Sequence, residues 1–155
     1  MEEKTNVMRI LSQKKIPYKS YCYLGTGAKS GIEVAKVLSL SPDKVHKTLV
    51  TQGKSGENFV FVIPVAAELN LKKAANAVGE KSVAMIKESE LLPKTGYVHG
   101  GCSPIGMKKQ LKTVLQTPKT PDDEIIISAG KIGYQVEIKP EDLQKLVKFI
   151  YADIV

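Results

Sequence analysis

The sequence predicts an α+β fold in which a central group of strands is flanked by helices. Residues 47–52 (K-T-L-V-T-Q) and 58–65 (N-F-V-F-V-I-P-V) read as two strands joined by a short glycine-containing turn, which predicts a hairpin. The second strand is apolar on both faces, so we expect it in the middle of a sheet with helices covering it. A chain of 155 residues is long enough for one domain, residues 1–155, that buries roughly 68–70% of its unfolded surface.

The first part of the chain predicts a helix, a strand and a loop that leads into a second helix. Thr5 or Asn6 can cap the first helix, and Ile16-Pro17 ends it. The segments that follow are a strand at 18–23, a loop of sequence L-G-T-G-A-K-S at 24–30 and a helix at 32–38. Because the loop is rich in glycine and small polar residues, we expect it to be flexible and to border a pocket.

The chain after the hairpin alternates between short helices and short strands. Asn70 can cap a helix that Gly79 ends. The remaining expected elements are a strand at 82–85, a helix at 87–92, and strands at 111–116, 124–128 and 134–138. A last helix begins at Pro140, with Leu143, Leu146 and Val147 on its buried face.

Composition favours a soluble protein with a polyanionic partner. The net charge is +7 and the pI is near 9.3, and lysine pairs recur along the chain rather than in one tail. No apolar run is long enough to cross a bilayer, and the charged N-terminus lacks the apolar region of a secretory signal. We therefore expect a cytoplasmic protein with no membrane partner, and its two cysteines do not suggest a disulfide framework.

Residues 96–109, of sequence G-Y-V-H-G-G-C-S-P-I-G-M-K-K, concentrate four glycines, a Ser-Pro pair and two lysines in fourteen residues. Adjacent Gly100 and Gly101 could form a nest of N–H groups for an oxyanion or phosphate. Ser103, followed by proline, has the pattern of a helix N-cap. A plain glycine-rich connector between strands remains the alternative.

The sequence contains almost none of the residue patterns that mark known catalytic or metal sites. There are only two histidines and no metal-ligand spacing, so we expect no metal and no cofactor. His99 and Cys102 could form a base and nucleophile, but two intervening glycines fix no geometry. Lys47 enters an apolar strand, where it could bind phosphate or carboxylate, or polarise a carbonyl; snorkelling at the strand end is the alternative. His46 precedes it, and strand geometry predicts that the two side chains point to opposite faces.

Four segments in the same order resemble the YbaK/EbsC family of free-standing Cys-tRNA(Pro) deacylases. They are K-T-L-V at 47–50, P-V-A-A-E-L-N-L-K-K-A-A at 64–75, the stretch at 96–109, and I-I-I-S-A-G-K-I-G at 125–133. The family is similar to the editing domain of bacterial prolyl-tRNA synthetases. The resemblance implies a mixed, largely antiparallel, barrel-like sheet flanked by helices, with a pocket beside the lysine strand and the glycine-rich loop.

The resemblance also implies roles for particular residues. The essential lysine of the family falls on Lys47 and its glycine pair on Gly100 and Gly101. The residues expected to bind substrate are Tyr21, Ser30, Ser103, Ser128 and Gln135. Ser30 and Gln135 depart from the phenylalanine and the aspartate that the best-known members carry at these positions, which bears on substrate selectivity.

The implied activity is removal of cysteine from mischarged tRNA(Pro). The thiol of the substrate would attack its own ester. Lys47 would hold the carbonyl or a phosphate of the terminal adenosine, and the amides of Gly100 and Gly101 would hold the aminoacyl end or the developing oxyanion. The expected partners are the 3′-terminal adenosine and acceptor stem of the aminoacyl-tRNA, and prolyl-tRNA synthetase is a candidate partner. Tyr21, Tyr97 or Tyr134 could stack on the terminal adenine. Hydrolytic editing of another small aminoacyl group and a non-catalytic tRNA-binding module remain open, and the oligomeric state is not predicted.

Overall fold

The computed structural model describes residues 4–120 and 123–155, which form five helices and eight strands in two sheets. The helices are α1 (Asn6–Gln13), α2 (Gly31–Val37), α3 (Leu71–Val78), α4 (Glu88–Thr95) and α5 (Pro140–Leu143). The strands are β1 (Lys19–Cys22), β2 (His46–Gly53), β3 (Asn58–Pro64), β4 (Val83–Met85), β5 (Lys112–Gln116), β6 (Ile125–Ser128), β7 (Tyr134–Ile138) and β8 (Phe149–Ala152). None of the described helices is long and apolar enough to cross a bilayer.

The strands form one sheet of three strands and one of five. The smaller sheet has the order β1-β7-β6 and is antiparallel. The larger has the order β4-β2-β3-β5-β8, in which β3, β5 and β8 run parallel to one another. The predicted α+β class and largely antiparallel pairing are confirmed. The expected barrel-like closure is not found, because the two sheets remain separate and, among the residues that the structure describes, a single bridge between Val45 and Ile126 joins them.

Strand β3 is central because both of its faces are apolar. Val60 and Val62 face the main core, which lies between the two sheets and is closed by α1. Phe59, Phe61 and Ile63 face the opposite way, into a second core under α3. All five side chains are fully buried, so the predicted position in the middle of the sheet is confirmed.

Helix α3 begins and ends at the residues that its sequence predicts. The side chain of Asn70 accepts a hydrogen bond from the Lys73 N–H at 3.1 Å, and Gly79 ends the helix in the left-handed region with φ of 73°. We expect Asn70→Ala to lower the free energy of unfolding by about 1 kcal/mol, whereas Asn70→Asp keeps the cap acceptor and the stability. Urea unfolding of the three proteins tests this, and an equal loss in both variants would contradict the capping role.

The C-terminal part of the chain differs from the expectation. The last helix covers only Pro140–Leu143, and the chain then forms β8, which the sequence analysis did not predict. Leu143 and Val147 are nevertheless buried as expected. The short turn expected at Ser103 and Pro104 is present: Ser103 Oγ accepts the Ile105 N–H at 3.2 Å, as the side chain of an N-cap residue does, and Gly106 follows with φ of 76°.

Candidate active site

A cavity of about 390 Å³ lies where the two sheets meet, beneath the N-terminus of α2. Its wall combines the start of β2, the loop before α2, the glycine-rich loop around Gly100, and residues of β6 and β7. The bridge between Val45 and Ile126 fixes the start of β2 against β6. Five of the eight predicted site residues contribute to this wall: Ser30, Lys47, Gly100, Ser128 and Gln135.

Lys47 enters the cavity wall from β2, where it pairs with Ile63 of β3 and is half-buried. Among residues 4–120 and 123–155, its ammonium group has neither a hydrogen-bond acceptor nor an acidic partner within reach. A lysine without a partner beside a concave surface retains its full capacity to bind an anion or a polarised carbonyl.

His46 also lines the cavity, although only Lys47 was predicted to have a role there. Its Nδ1 lies 2.6 Å from the Lys44 carbonyl oxygen. Since a carbonyl only accepts, Nδ1 carries the proton and Nε2 is left as an acceptor. Burial lowers the pKa of His46 to about 4, and the hydrogen bond to Lys44 offsets only part of this effect. The imidazole is therefore neutral at physiological pH.

Of the two glycines expected to bind an anion through their N–H groups, Gly100 lines the cavity and Gly101 does not. Gly100 lines the cavity with φ of 88°, a conformation that favours glycine, and no acceptor for its N–H is found in the described part of the chain. The Gly101 N–H donates to the Val98 carbonyl at 3.0 Å. A β-carbon at Gly101 would lie 3.1 Å from the Ile132 nitrogen, so this glycine allows the close approach of two loops.

Ser128 and Gln135 stand opposite each other on β6 and β7 and so share one face of the small sheet. Ser128 Oγ accepts the Gly130 N–H at 3.1 Å, which leaves its own hydroxyl proton free to donate into the cavity. The Gln135 side chain is buried, and its Oε1 has no hydrogen-bond partner among the described residues. These two side chains give the wall a polar section that carries no charge.

Ser30 is held in place by a capping box at the start of α2. Its Oγ accepts the Glu33 N–H at 3.1 Å, and its own N–H donates to Glu33 Oε1 at 3.0 Å. The loop that precedes it does border the pocket, as the sequence predicts.

Tyr21 and Ser103 do not line the cavity. Tyr21 pairs with Gln135 and shares its sheet face, but its hydroxyl donates to Glu137 Oε1 at 2.5 Å. This hydrogen bond is the main reason that the pKa of Tyr21 is raised to about 12. Ser103, within the glycine-rich loop, is fully buried.

The sequence profile of the aminoacyl-tRNA editing domain matches residues 26–146 of this chain, from the loop before α2 through α5. The chain belongs to the aminoacyl-tRNA editing domain family. The resemblance drawn from the four segments is thereby confirmed.

Relatives of this editing domain occur both as separate proteins and as parts of a synthetase. EbsC of Enterococcus faecalis, a proposed Cys-tRNA(Pro)/Cys-tRNA(Cys) deacylase, is 44% identical over 154 residues, which cover 99% of this chain and 94% of EbsC. The proline–tRNA ligase of Pelobacter propionicus is 33% identical over 86 residues, which cover 56% of this chain but only 15% of the ligase. The fold is similar to the crystal structure of a proposed trans-editing enzyme for prolyl-tRNA synthetase, with a TM-score of 0.82, 20% identity, and coverage of 99% and 98% of the two chains.

The cavity of this editing domain has a cationic mouth. Lys29 and Lys87 line it together with Lys47, and Glu88 is the single carboxylate among the described lining residues. Lys29 and Lys87 are exposed, whereas Lys47 is half-buried. The arrangement favours a ligand that brings negative charge to the mouth and a smaller polar group to the interior.

Sequence reasoning missed His46, Thr48 and Lys87 as parts of the wall. Thr48 Oγ1 is buried and, within the described ranges, has no hydrogen-bond partner. Its position one residue after Lys47 was the available signal, because a polar side chain in an apolar strand next to a site is a candidate for lining it.

Proposed function

We propose that this chain is a trans-editing deacylase that removes cysteine from mischarged tRNA(Pro). The observation that carries the proposal is the unpaired Lys47, which lies in a cavity beside Gly100 in an aminoacyl-tRNA editing domain. The name of EbsC, which matches this chain over almost its whole length, supports the same substrate. On this proposal residues 1–155 act as one editing domain in the cytoplasm, with prolyl-tRNA synthetase as a candidate partner.

The proposed reaction uses the thiol of the substrate as its nucleophile. The thiol sulfur attacks the ester carbonyl carbon, the bond from that carbon to the 3′-oxygen breaks, and the thiol proton ends on the 3′-oxygen. A cyclic thiolactone and free tRNA are released. Intramolecular attack supplies roughly 7–11 kcal/mol when the groups are well aligned, so the protein needs chiefly to position them.

Lys47 and Gly100 have the proposed role of stabilising the reacting carbonyl. Lys47 and Gly100 both line the cavity, and a well-placed donor to a developing oxyanion is worth about 3–4 kcal/mol. Gly101 supports this site by allowing the loop to pack against Ile132. Ser30, Ser128 and Gln135 would bind the aminoacyl group. On this proposal Tyr21 and Ser103, which do not line the cavity, act only indirectly, through the sheet and the loop.

Cys102 is not the nucleophile in this proposal. Burial raises the pKa of its thiol to about 12, so the thiol stays protonated, and His99 is exposed. We expect Cys102→Ala to deacylate Cys-tRNA(Pro) at about the wild-type rate, once the fraction of folded protein is matched. Loss of activity in this variant alone would overturn the substrate-assisted reaction.

A second candidate is hydrolytic editing of another small aminoacyl group, which the neutral Gln135 in the cavity favours. Comparing Cys-tRNA(Pro) with Ala-tRNA(Pro) separates the two, because alanine has no thiol. Rapid loss of cysteine alone, with thiolactone as the first product, supports the proposal. Equal loss of alanine would replace it with hydrolysis.

A further inference from the structure

Two aliphatic side chains are exposed beside residues that line the cavity. Leu24 is 56% exposed and Ile132 is 50% exposed, and they come from two different loops. Exposed aliphatic side chains that lie together next to a binding cavity mark a contact surface more often than isolated ones do.

We call these two side chains the apolar shelf, because each packs on a glycine of a loop beside the cavity. Ile132 packs on Gly100, since a β-carbon at Gly100 would lie 3.6 Å from Ile132 Cγ1. Leu24 lies over Gly133, where a β-carbon would come within 2.4 Å of Leu24 Cδ2. Gly133 has φ of 103°, so glycine is required there for both conformation and space. Gly100 itself lines the cavity, as does Tyr23, which precedes Leu24.

The tyrosines expected to stack on a nucleobase are engaged elsewhere. Tyr97 donates its hydroxyl to the Ile105 carbonyl and is half-buried. Tyr134 is only 4% exposed, and Tyr21 is bonded to Glu137. None of the three lines the cavity, so none of them offers its ring to a base that approaches it.

Charge beside the shelf indicates what kind of molecule it receives. Lys29 and Lys87 are exposed and line the same mouth. A ligand that combines an apolar face with adjacent negative charge fits both features, and an unpaired nucleotide has a π-face next to a phosphate. A protein partner that docked here would instead need acidic side chains to pair with these lysines.

We propose that the apolar shelf binds the unpaired terminal nucleobase of tRNA, with Leu24 and Ile132 beneath the base and Lys29 beside the adjoining phosphate. The inference rests on the proposed function, because it assumes that tRNA is the ligand of the neighbouring cavity. Stacking on a hydrophobic surface does not read the edges of the base. The shelf therefore contributes affinity for the 3′ end without selecting a particular base.

The test measures the affinity of uncharged tRNA(Pro) whose terminal nucleotide is either intact or abasic. Wild-type protein should bind the intact tRNA about tenfold more tightly than the tRNA whose terminal nucleotide lacks its base. The double variant Leu24→Ser, Ile132→Ser should bind both tRNAs equally. Leu71→Ser is the matched control, because Leu71 is 44% exposed on α3 and does not line the cavity; it should keep the difference.

Each outcome of this test decides the inference separately from the deacylase proposal. Equal wild-type affinity for the two tRNAs, or a difference that persists in the double variant, would overturn the shelf even if deacylation is fast. Tight binding of only the adenosine-terminated tRNA, and not of tRNAs ending in other bases, would also overturn it. If the double variant instead lost binding to purified prolyl-tRNA synthetase and kept the tRNA difference, the shelf would be a protein contact. A tenfold difference without any turnover would support the shelf and refute the deacylase.

Discussion

Replacing Lys47 by alanine is expected to slow deacylation of Cys-tRNA(Pro) by about 100-fold or more. The expectation follows from the loss of the unpaired ammonium in the cavity wall, since removing one donor to a developing oxyanion costs about 100-fold to 1000-fold in rate. Single-turnover measurement of cysteine release, with enzyme in excess over charged tRNA, reports this step without product release.

Two further variants test whether a slower rate in Lys47→Ala comes from the loss of the charge at this position. Lys47→Met keeps most of the apolar stem in the strand and removes only the charge, so it should be as slow as the alanine variant. Lys54→Ala removes a lysine from the turn between β2 and β3, away from the cavity, and should retain the wild-type rate. Near-normal activity in Lys47→Met would show that the charge is dispensable and would contradict the assigned role.

The buried His46 is expected to make the folded state lose stability in mild acid. Its pKa is about 4 when folded, because of burial, against an ordinary value of 6.5. Between these values the unfolded chain binds a proton that the folded chain does not. The free energy of unfolding therefore falls as pH drops from about 6.5 to about 4, by about 3 kcal/mol in total. Above about pH 6.5 this contribution is fully present.

Urea unfolding across this pH range measures the effect as a difference between proteins. His46→Gln should flatten the dependence on pH, because glutamine does not titrate. His99→Gln is the matched control, since His99 is exposed, and it should keep the wild-type slope. Glu124 and Glu137 interact closely and also titrate in acid, but they are common to all three proteins. Equal slopes for wild type and His46→Gln would contradict the burial argument.

The sequence predicts those elements of the fold that local chemistry specifies. Strand β3 is recognised because apolar residues on both faces need cover on both sides, and α3 because Asn70 and Gly79 supply its caps. Strand β8 was not predicted for two reasons. The residues before Phe149–Ala152 have an apolar spacing typical of a helix, and β8 pairs in parallel with β5, which is distant in sequence. Parallel pairing and the separation into two sheets depend on tertiary contacts that no local pattern encodes.

The candidate site was predicted mainly through family resemblance, and its limits have physical causes. Ser128 and Gln135 meet because β6 and β7 pair in register, and both line the same cavity as Lys47. Tyr21 shares their sheet face, but its hydroxyl donates to Glu137, which lies two residues along β7 from Gln135.

His46 was not predicted to line the cavity, because strand alternation alone assigns only one of two consecutive residues to a cleft. The strand start, where β2 meets the bridge to β6, lets both residues reach the wall.

The most direct test of the editing proposal compares cysteine release from Cys-tRNA(Pro) with proline release from Pro-tRNA(Pro), using the wild-type protein. The proposal predicts rapid loss of cysteine while the cognate proline ester stays intact, because proline has no thiol with which to attack its own carbonyl. If neither amino acid is released and both charged tRNAs bind as tightly as uncharged tRNA, the protein is a tRNA-binding module rather than an editing enzyme.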